Sequence, residues 1–421
     1  MTKRALIIAF HFPPQSGSSG IQRTLSLTKH LGEWGWEPLV LSASPRAYGK
    51  TDLSQLAEIP SNVVVRRTFA LDAKRHLAIF GRYPELMALP DRWISWYLSA
   101  VPAGLAMIRK YRPDVIWSTF PIPTAHLIGL TLHRLSGLPW VADIRDPMLQ
   151  ASFPSTKLQR SVYGWIERKT ITACAKAVFT TPGARNRYQQ RFPDLPADKF
   201  VVVENGYDES AFERLGLITP PPLSTSSRPI TLLHSGVLYQ TGRDPAPFFE
   251  AVNVLKKRGD ISVNTLKIVL RAPSDISWCR SRIQKYDVAD IVSAEPAIPY
   301  AEALREMLLA DGLLLLQGSV FNTQIPAKMY EYFRARRPIF ALGDASGETA
   351  NRFFAAGFED FAPIGDAHAT TRAFSAFLAK VRTGCAPIAS EHLVQASSRA
   401  TRAGELAQIF NQLVPAERPK I

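Results

Sequence analysis

QIPAKMYEYFRARRPIFAL, residues 324–342, decides the fold of this chain. An apolar run at 313–316 precedes it and reads as a buried strand, and 339–342 reads as the next strand. Pro326 suits the first helical position, where its missing N–H costs nothing. Pro338 disfavours helix at the residue before it, so the helix should end near Arg337. Strand, loop, short helix, strand is the unit of a parallel sheet, and such units present the helix N-terminus at the ligand-binding edge. Lys328 and Glu331, three residues apart, then share a face of the first two turns. That arrangement is poor for stability, because a cation near a helix N-terminus opposes the macrodipole. Two readings follow: a solvated surface pair, at a penalty of only about 0.3–1 kcal/mol, or an anion held by Lys328 with Glu331 accepting from hydroxyls.

The 421 residues exceed one ordinary core, so two domains are expected. With 46% hydrophobic and 20% charged residues the composition is globular. Cys174, Cys279 and Cys385 are scattered and odd in number, with no metal-ligand spacing, which suits a reducing cytoplasm. The opening apolar run is too short for a signal peptide, and no stretch is long enough to span a bilayer. A net charge of +14 calls for an anionic partner. No zinc-finger spacing, aromatic-glycine RNA signature or continuous basic arm is present, so no nucleic-acid partner is expected. Phosphates or an anionic membrane surface fit better. Residues 66–112 interleave Arg66, Arg67, Lys74, Arg75, Arg82 and Arg92 with Phe69, Phe80, Trp93 and Trp96, a mixture that can sit on anionic lipid. The competing reading makes most of these aromatics core.

Two strand–glycine loop–helix openings occur. Residues 4–10 form a strand-like run before HFPPQSGSSGIQRT, where Gly17 and Gly20 let backbone pass close to a phosphate. Residues 230–234 open the second series, followed by Gly236, Arg243 and a helix over 246–258. Neither loop carries the full nicotinamide fingerprint, which weighs against an oxidoreductase. Between them, strands are expected at 36–41, 114–118, 140–144, 177–180 and 200–203. The strand at 140–144 ends in Arg145-Asp146-Pro147, at the carboxyl end where α/β proteins bind ligands; a salt-bridged structural Asp is the alternative. LITPPPLSTSSRP, 217–229, concentrates proline and serine as a linker does. The tail, 397–413, reads as an amphipathic helix with Leu406, Ile409, Phe410 and Leu413 on one face.

Several of these stretches resemble the retaining glycosyltransferases of family 4: HFPPQSGSSGIQRTLSLTKHLGEWGWEPLVLSA, LPWVADIRDP, ENGYD, GVLYQTGRDP and the 324–342 segment. The resemblance covers nearly the whole chain and implies an α/β GT-B architecture, two Rossmann-like doubly wound domains facing a cleft. It implies an acceptor-side domain at 1–215, a linker at 216–229, a nucleotide-sugar domain at 230–396, and a C-terminal helix at 397–421 returning toward the first domain. By the same resemblance Gly17 and Gly20 face the donor phosphates, with Arg23 one turn on at the same cleft. Gly236 and Arg243 hold the pyrophosphate with Lys328, residues 297–300 meet the base, and Glu331 binds the ribose. Arg145 stands where the family generally has a catalytic-site His, which makes Arg145 and Asp146 the catalytic candidates. Thr323 stands where the first Glu of the family's acidic pair would be, and Val237 where an Arg commonly follows the glycine.

The implied activity is transfer of a sugar from a nucleotide-diphosphate donor to a lipid-linked acceptor, in polysaccharide or glycolipid synthesis. It needs no cofactor and no metal, and takes place at the inner face of the cell membrane. Two rivals stay open: a nucleotide-sugar epimerase of the same architecture, and a binding module that kept the fold without the chemistry.

Overall fold

A computed structural model describes residues 2–17, 19–78, 80, 83–150, 153–216 and 228–414. Ser18, Arg82, the 217–227 part of the expected linker and residues 415–421 of the terminal segment lie outside the described residues. The chain divides into two compact units, Met1–Glu204 with Arg399–Ile421, and Asn205–Ser398.

In the first unit seven strands form one sheet: β1 (Lys3–Ile8), β2 (Trp36–Ala43), β3 (Val64–Thr68), β4 (Val115–Thr119), β5 (Trp140–Ile144), β6 (Lys176–Phe179) and β7 (Phe200–Val202). Their order is β3-β2-β1-β4-β5-β6-β7, and every pairing is parallel. The second unit holds β8 (Ile230–Ser235), β9 (Leu266–Arg271), β10 (Val292–Glu295), β11 (Gly312–Gln317), β12 (Ile339–Gly343) and β13 (Phe361–Pro363). Its order, β10-β9-β8-β11-β12-β13, is again wholly parallel.

Parallel strands are covered on both faces, so they read as continuous apolar runs whose neighbours in sequence point opposite ways. Leu6 and Ile8 join one core cluster with Leu39 and Ile116, while Ala5 and Ile7 join another with Val40 and Val115. In the second unit Leu314 and Leu316 pack with Leu232, whereas Leu313 and Leu315 pack with Leu233 and the helix Lys328–Ala335. The helix Arg399–Leu413 belongs to the first unit, where Phe410 meets the Trp36 ring at 5.2 Å and Gly404 lies under Trp34.

Each sheet has one place where successive strands depart in opposite directions, between β1 and β4 in the first and between β8 and β11 in the second. Loops leaving the carboxyl ends of such a strand pair diverge and leave a crevice, the usual ligand position in open α/β sheets. The loops after β1 and β8 are the two glycine loops of the sequence.

Two expectations need correction. The helix after β11 begins at Lys328, not Pro326, with Met329 N–H donating to Pro326 O at 3.0 Å in a tighter first turn. Trp96 is fully buried, its Nε1 donating to Thr68 Oγ1 at 2.9 Å, and Trp93 lies on Phe10 with 4.7 Å between ring centroids. Both are packing residues of the first unit and not part of an exposed aromatic surface.

Candidate functional site

In the second unit Gly236, Arg243, Lys328 and Glu331 come together at the β8–β11 switch point. Lys328 is the first residue of its helix and is half-buried. Its Nζ lies 3.1 Å from Nε2 of His234, the penultimate residue of β8. His234 is fully buried, and its Nδ1 lies 2.8 Å from the Leu314 carbonyl oxygen of β11. A carbonyl only accepts, so Nδ1 carries the proton and Nε2 presents a lone pair to the ammonium. Burial first, then the Lys328 charge, drive His234 well below its ordinary pKa, so the imidazole is neutral. Burial first, then the Arg243 charge, push Lys328 down to about 7, with Glu331 opposing.

Gly236 follows within two residues, at φ 108, a conformation that favours glycine. A Cβ there would stand 2.9 Å from Lys328 Nζ. The guanidinium of Arg243 donates from Nε and Nη2 to Gln317 Oε1 at 3.0 and 2.7 Å, and from Nη1 to Val237 O at 3.1 Å. It lies over the Tyr239 and Phe321 rings, 5.2 and 5.0 Å from their centroids. The loop closes on β11 through Gly318 N–H donating to Gly242 O at 2.7 Å, and a Cβ on Gly318 would sit 2.6 Å from that oxygen. Glu331 does not pair with Lys328. It accepts instead from Tyr300 Oη at 2.7 Å, at the start of the helix Tyr300–Leu309. The solvated Lys–Glu surface pair is therefore not what the structure contains. Two cations beside a helix N-terminus, with one carboxylate a turn inward, form a setting for a phosphate next to hydroxyls.

In the first unit the loop after β1 carries Gly17, at φ 85, into the helix Ser19–His30. Gly20 packs against the end of β5: a Cβ on it would collide with Arg145 Nη1 and come within 2.9 Å of His11 Nδ1. Arg145 donates from Nε and Nη2 to Asp146 Oδ2, both at 3.2 Å, while its buried Nη1 has no hydrogen-bond partner among the described residues. Burial and then the Arg145 charge hold His11 down to about 3, so it is neutral there. Gly20, Arg145 and Asp146 are thus one cluster, with His11 added to it, and Gly17 stands earlier on the same loop.

Arg23 is placed differently from its sequence reading. It donates to both oxygens of fully buried Asp143 at 3.0 and 2.8 Å, and to the carbonyls of Val203 and Glu204 at 3.1 Å each. Thr119 Oγ1 donates to the same carboxylate at 2.8 Å. This is an internal ion pair tying the first helix to β5 and the end of β7.

His11, His234 and Gln317 were not singled out from the sequence. Each histidine is a polar residue at the carboxyl end of an apolar strand and just before a glycine loop, and that position was the available signal. A groove of about 1020 Å³ also lies along the helices Lys157–Ala173 and Pro182–Arg191, beside Trp165, Arg168 and Arg191, but none of the candidate residues lines it. Among the described residues no three His, Cys, Asp or Glu side chains group to hold a metal, and no helix is long and apolar enough to cross a membrane.

Residues 19–206 match the model of the glycosyl transferase 4-like domain. A search of curated proteins by sequence finds no match. Solved structures align over nearly the whole chain. A glycosyltransferase from Rickettsia africae shares 13% identity over 99% of both chains, with a TM-score of 0.64. Anabaena HepE, solved with UDP and glucose, shares 12% over 98% of this chain and 100% of its own, with a TM-score of 0.60. WaaG, a glycosyltransferase involved in lipopolysaccharide biosynthesis, shares 14% over 97% and 99%, with a TM-score of 0.58. The fold is that of the GT-B glycosyltransferases. Residues 19–206 thus form a glycosyl transferase 4-like domain within this fold.

Proposed function

We propose that the chain is a glycosyltransferase that retains the anomeric configuration of a sugar taken from a nucleotide-diphosphate donor, and passes it to a lipid-linked acceptor at an anionic membrane surface. The observation that carries the reading is the meeting of Gly236, Arg243, Lys328 and Glu331 at the β8–β11 switch point. Lys328 and Arg243 take the diphosphate over Gly236, where no side chain blocks approach, and Glu331 leaves Tyr300 to accept from the ribose hydroxyls. The binding of UDP-glucose by HepE supports a nucleoside-diphosphate sugar as donor.

In the reaction the bond from the anomeric carbon to the diphosphate oxygen breaks as the acceptor oxygen bonds to that carbon on the same face. The acceptor proton passes to the departing diphosphate. Charge grows on the diphosphate as it leaves, so Lys328, Arg243 and the N–H groups of the helix start act where stabilisation is worth most. Gly17 and Gly20 keep the first loop low. Arg145 and Asp146, pinned against Gly20, orient the reacting sugars.

The membrane part rests on the charge of +14 and on large apolar side chains exposed within residues 69–98, namely Phe69, Leu77, Phe80, Leu86, Met87 and Leu98. Exposed Arg66, Lys74 and Arg75 accompany them. Mass spectrometry of nucleotide sugars incubated with the protein, with and without a lipid-linked acceptor, tests the proposal. Free nucleotide released only when acceptor is present is the expected result. Isomerised nucleotide sugar would replace transfer by epimerisation, and binding without turnover would leave a binding module.

A further inference from the structure

The member of the switch-point cluster that touches Lys328 directly is His234. The usual partner for a lysine withdrawn from solvent is a carboxylate, which holds the ammonium and cancels its charge. Here the only hydrogen-bond partner of Lys328 Nζ among the described residues is the imidazole Nε2 at 3.1 Å, and the tautomer is fixed from behind by the Leu314 carbonyl at 2.8 Å. A neutral acceptor orients the ammonium and leaves its charge undiminished. Gly236 leaves room for the ammonium, since any Cβ there would come within 2.9 Å of the same nitrogen. The ammonium is therefore located by an imidazole and a bare backbone, with Arg243 as the second cation of the cluster. The charged or titratable groups around it are His234 on β8, Arg243 on the loop after β8, Glu331 on its own helix, Tyr300 bonded to Glu331, and Tyr332, whose Oη accepts from Ser235 N–H at 2.9 Å. Among them the sole carboxylate is engaged by Tyr300.

We infer that His234 is a positioning residue for the donor diphosphate: as a neutral acceptor it aims the Lys328 ammonium over Gly236 without neutralising it. This rests on the reading of Lys328 as a phosphate ligand. His234 touches neither sugar nor phosphate; it acts through Lys328.

The test uses the full chain and inorganic pyrophosphate, a probe free of base and ribose, in calorimetric titrations on either side of neutrality. Lys328→Ala, His234→Leu and His234→Gln are compared with the native chain, each checked by thermal unfolding. Leu fills similar space without an acceptor. Gln can donate to Leu314 O and accept from Lys328, as the imidazole does. Pyrophosphate affinity should fall about tenfold or more in Lys328→Ala and in His234→Leu, the loss expected for a charge-assisted hydrogen bond. His234→Gln should recover most of it. The pH at which binding weakens should lie lower in His234→Leu than in the native chain, because the bond that favours the ammonium is gone. A His234→Leu protein that unfolds normally and binds pyrophosphate as the native chain does, with the same pH midpoint, overturns the inference while leaving Lys328 as a ligand. So does a His234→Gln protein that folds and binds as weakly as His234→Leu. If Lys328→Ala binds as well as the native chain, or the native chain does not bind pyrophosphate, the phosphate reading fails and this inference with it.

Discussion

Replacing Arg23 by alanine should destabilise the first unit and not merely weaken a ligand. Asp143 is fully buried, and the arginine gives it two hydrogen bonds, at 2.8 and 3.0 Å, while satisfying two carbonyls at 3.1 Å. After the substitution the carboxylate keeps only Thr119 among the described residues, and two backbone oxygens lose a donor. Removing one partner of a buried ion pair costs about 3–5 kcal/mol, because the remaining charge stays uncompensated. With a urea dependence of about 3 kcal/mol per molar, the unfolding midpoint should drop by roughly 1–1.7 M. Tryptophan fluorescence is a suitable probe: of the eight tryptophans only Trp278 lies in the second unit, so the signal follows the first. Replacing both partners together, as Arg23→Met with Asp143→Leu, should recover most of the loss, since a well-packed apolar pair often matches a buried ion pair. A single variant that costs under about 1 kcal/mol yet abolishes donor binding would refute this reasoning and return Arg23 to the ligand.

Glu331→Ala should weaken nucleotide-sugar binding by about 1.5–3 kcal/mol, the value of a hydrogen bond to a charged group, with cooperative unfolding retained; unchanged affinity by calorimetry would remove the ribose role. Gly20→Ala should leave stability within about 1 kcal/mol, since the atom it meets is the end of the flexible Arg145 side chain, but transfer should fall at least about tenfold as Arg145 is displaced. Full transfer activity in that variant would show that the placement of Arg145 is immaterial. Diphosphate affinity should be highest below about pH 7 and decline above it, because the phosphate binds the ammonium form of Lys328, whose free-state pKa is held down. Lys328→Arg, which keeps its charge, should flatten that profile, and a profile identical to the native one would assign the titration elsewhere. Sedimentation with anionic liposomes should carry the protein down at low salt and release it at high salt, while neutral liposomes leave it in solution; protein remaining soluble with anionic liposomes would dismiss membrane docking.

The alternation of strands and helices was legible because parallel strands, buried on both faces, leave uninterrupted apolar runs such as Leu313–Leu316 within β11. Glycine loops and the Lys328–Glu331 pair were legible as types in a spacing. Partners were not. Lys328 meets a histidine 94 positions away, and Arg23 an aspartate 120 away, and neither separation leaves a local trace. Arg23 shows the cost of that: one turn into a helix behind a glycine loop, it reads as a ligand residue until Asp143 is seen. The helix Trp96–Tyr111 was also hidden, since Pro102 within it interrupts the pattern and its arginines and aromatics invite a surface reading. Its buried side, with Trp96, Ala100, Gly104 and Met107, follows helical spacing once Pro102 is set aside.

The place of Arg399–Leu413 in the first unit has a consequence for how the protein is made. This helix covers the apolar face that Leu31, Trp36 and Val40 share, so residues 1–204 leave the ribosome with that face bare. It can be covered only after the intervening 194 residues, 205 to 398, have been synthesised. At about 5–20 residues per second the interval is roughly 10–40 s. During that time the second unit can fold on its own sheet, and the nascent first unit presents a tryptophan-rich surface of the kind chaperones bind. Expression of residues 1–204 alone would make that interval permanent, so such a fragment should aggregate unless the 399–414 segment is supplied with it.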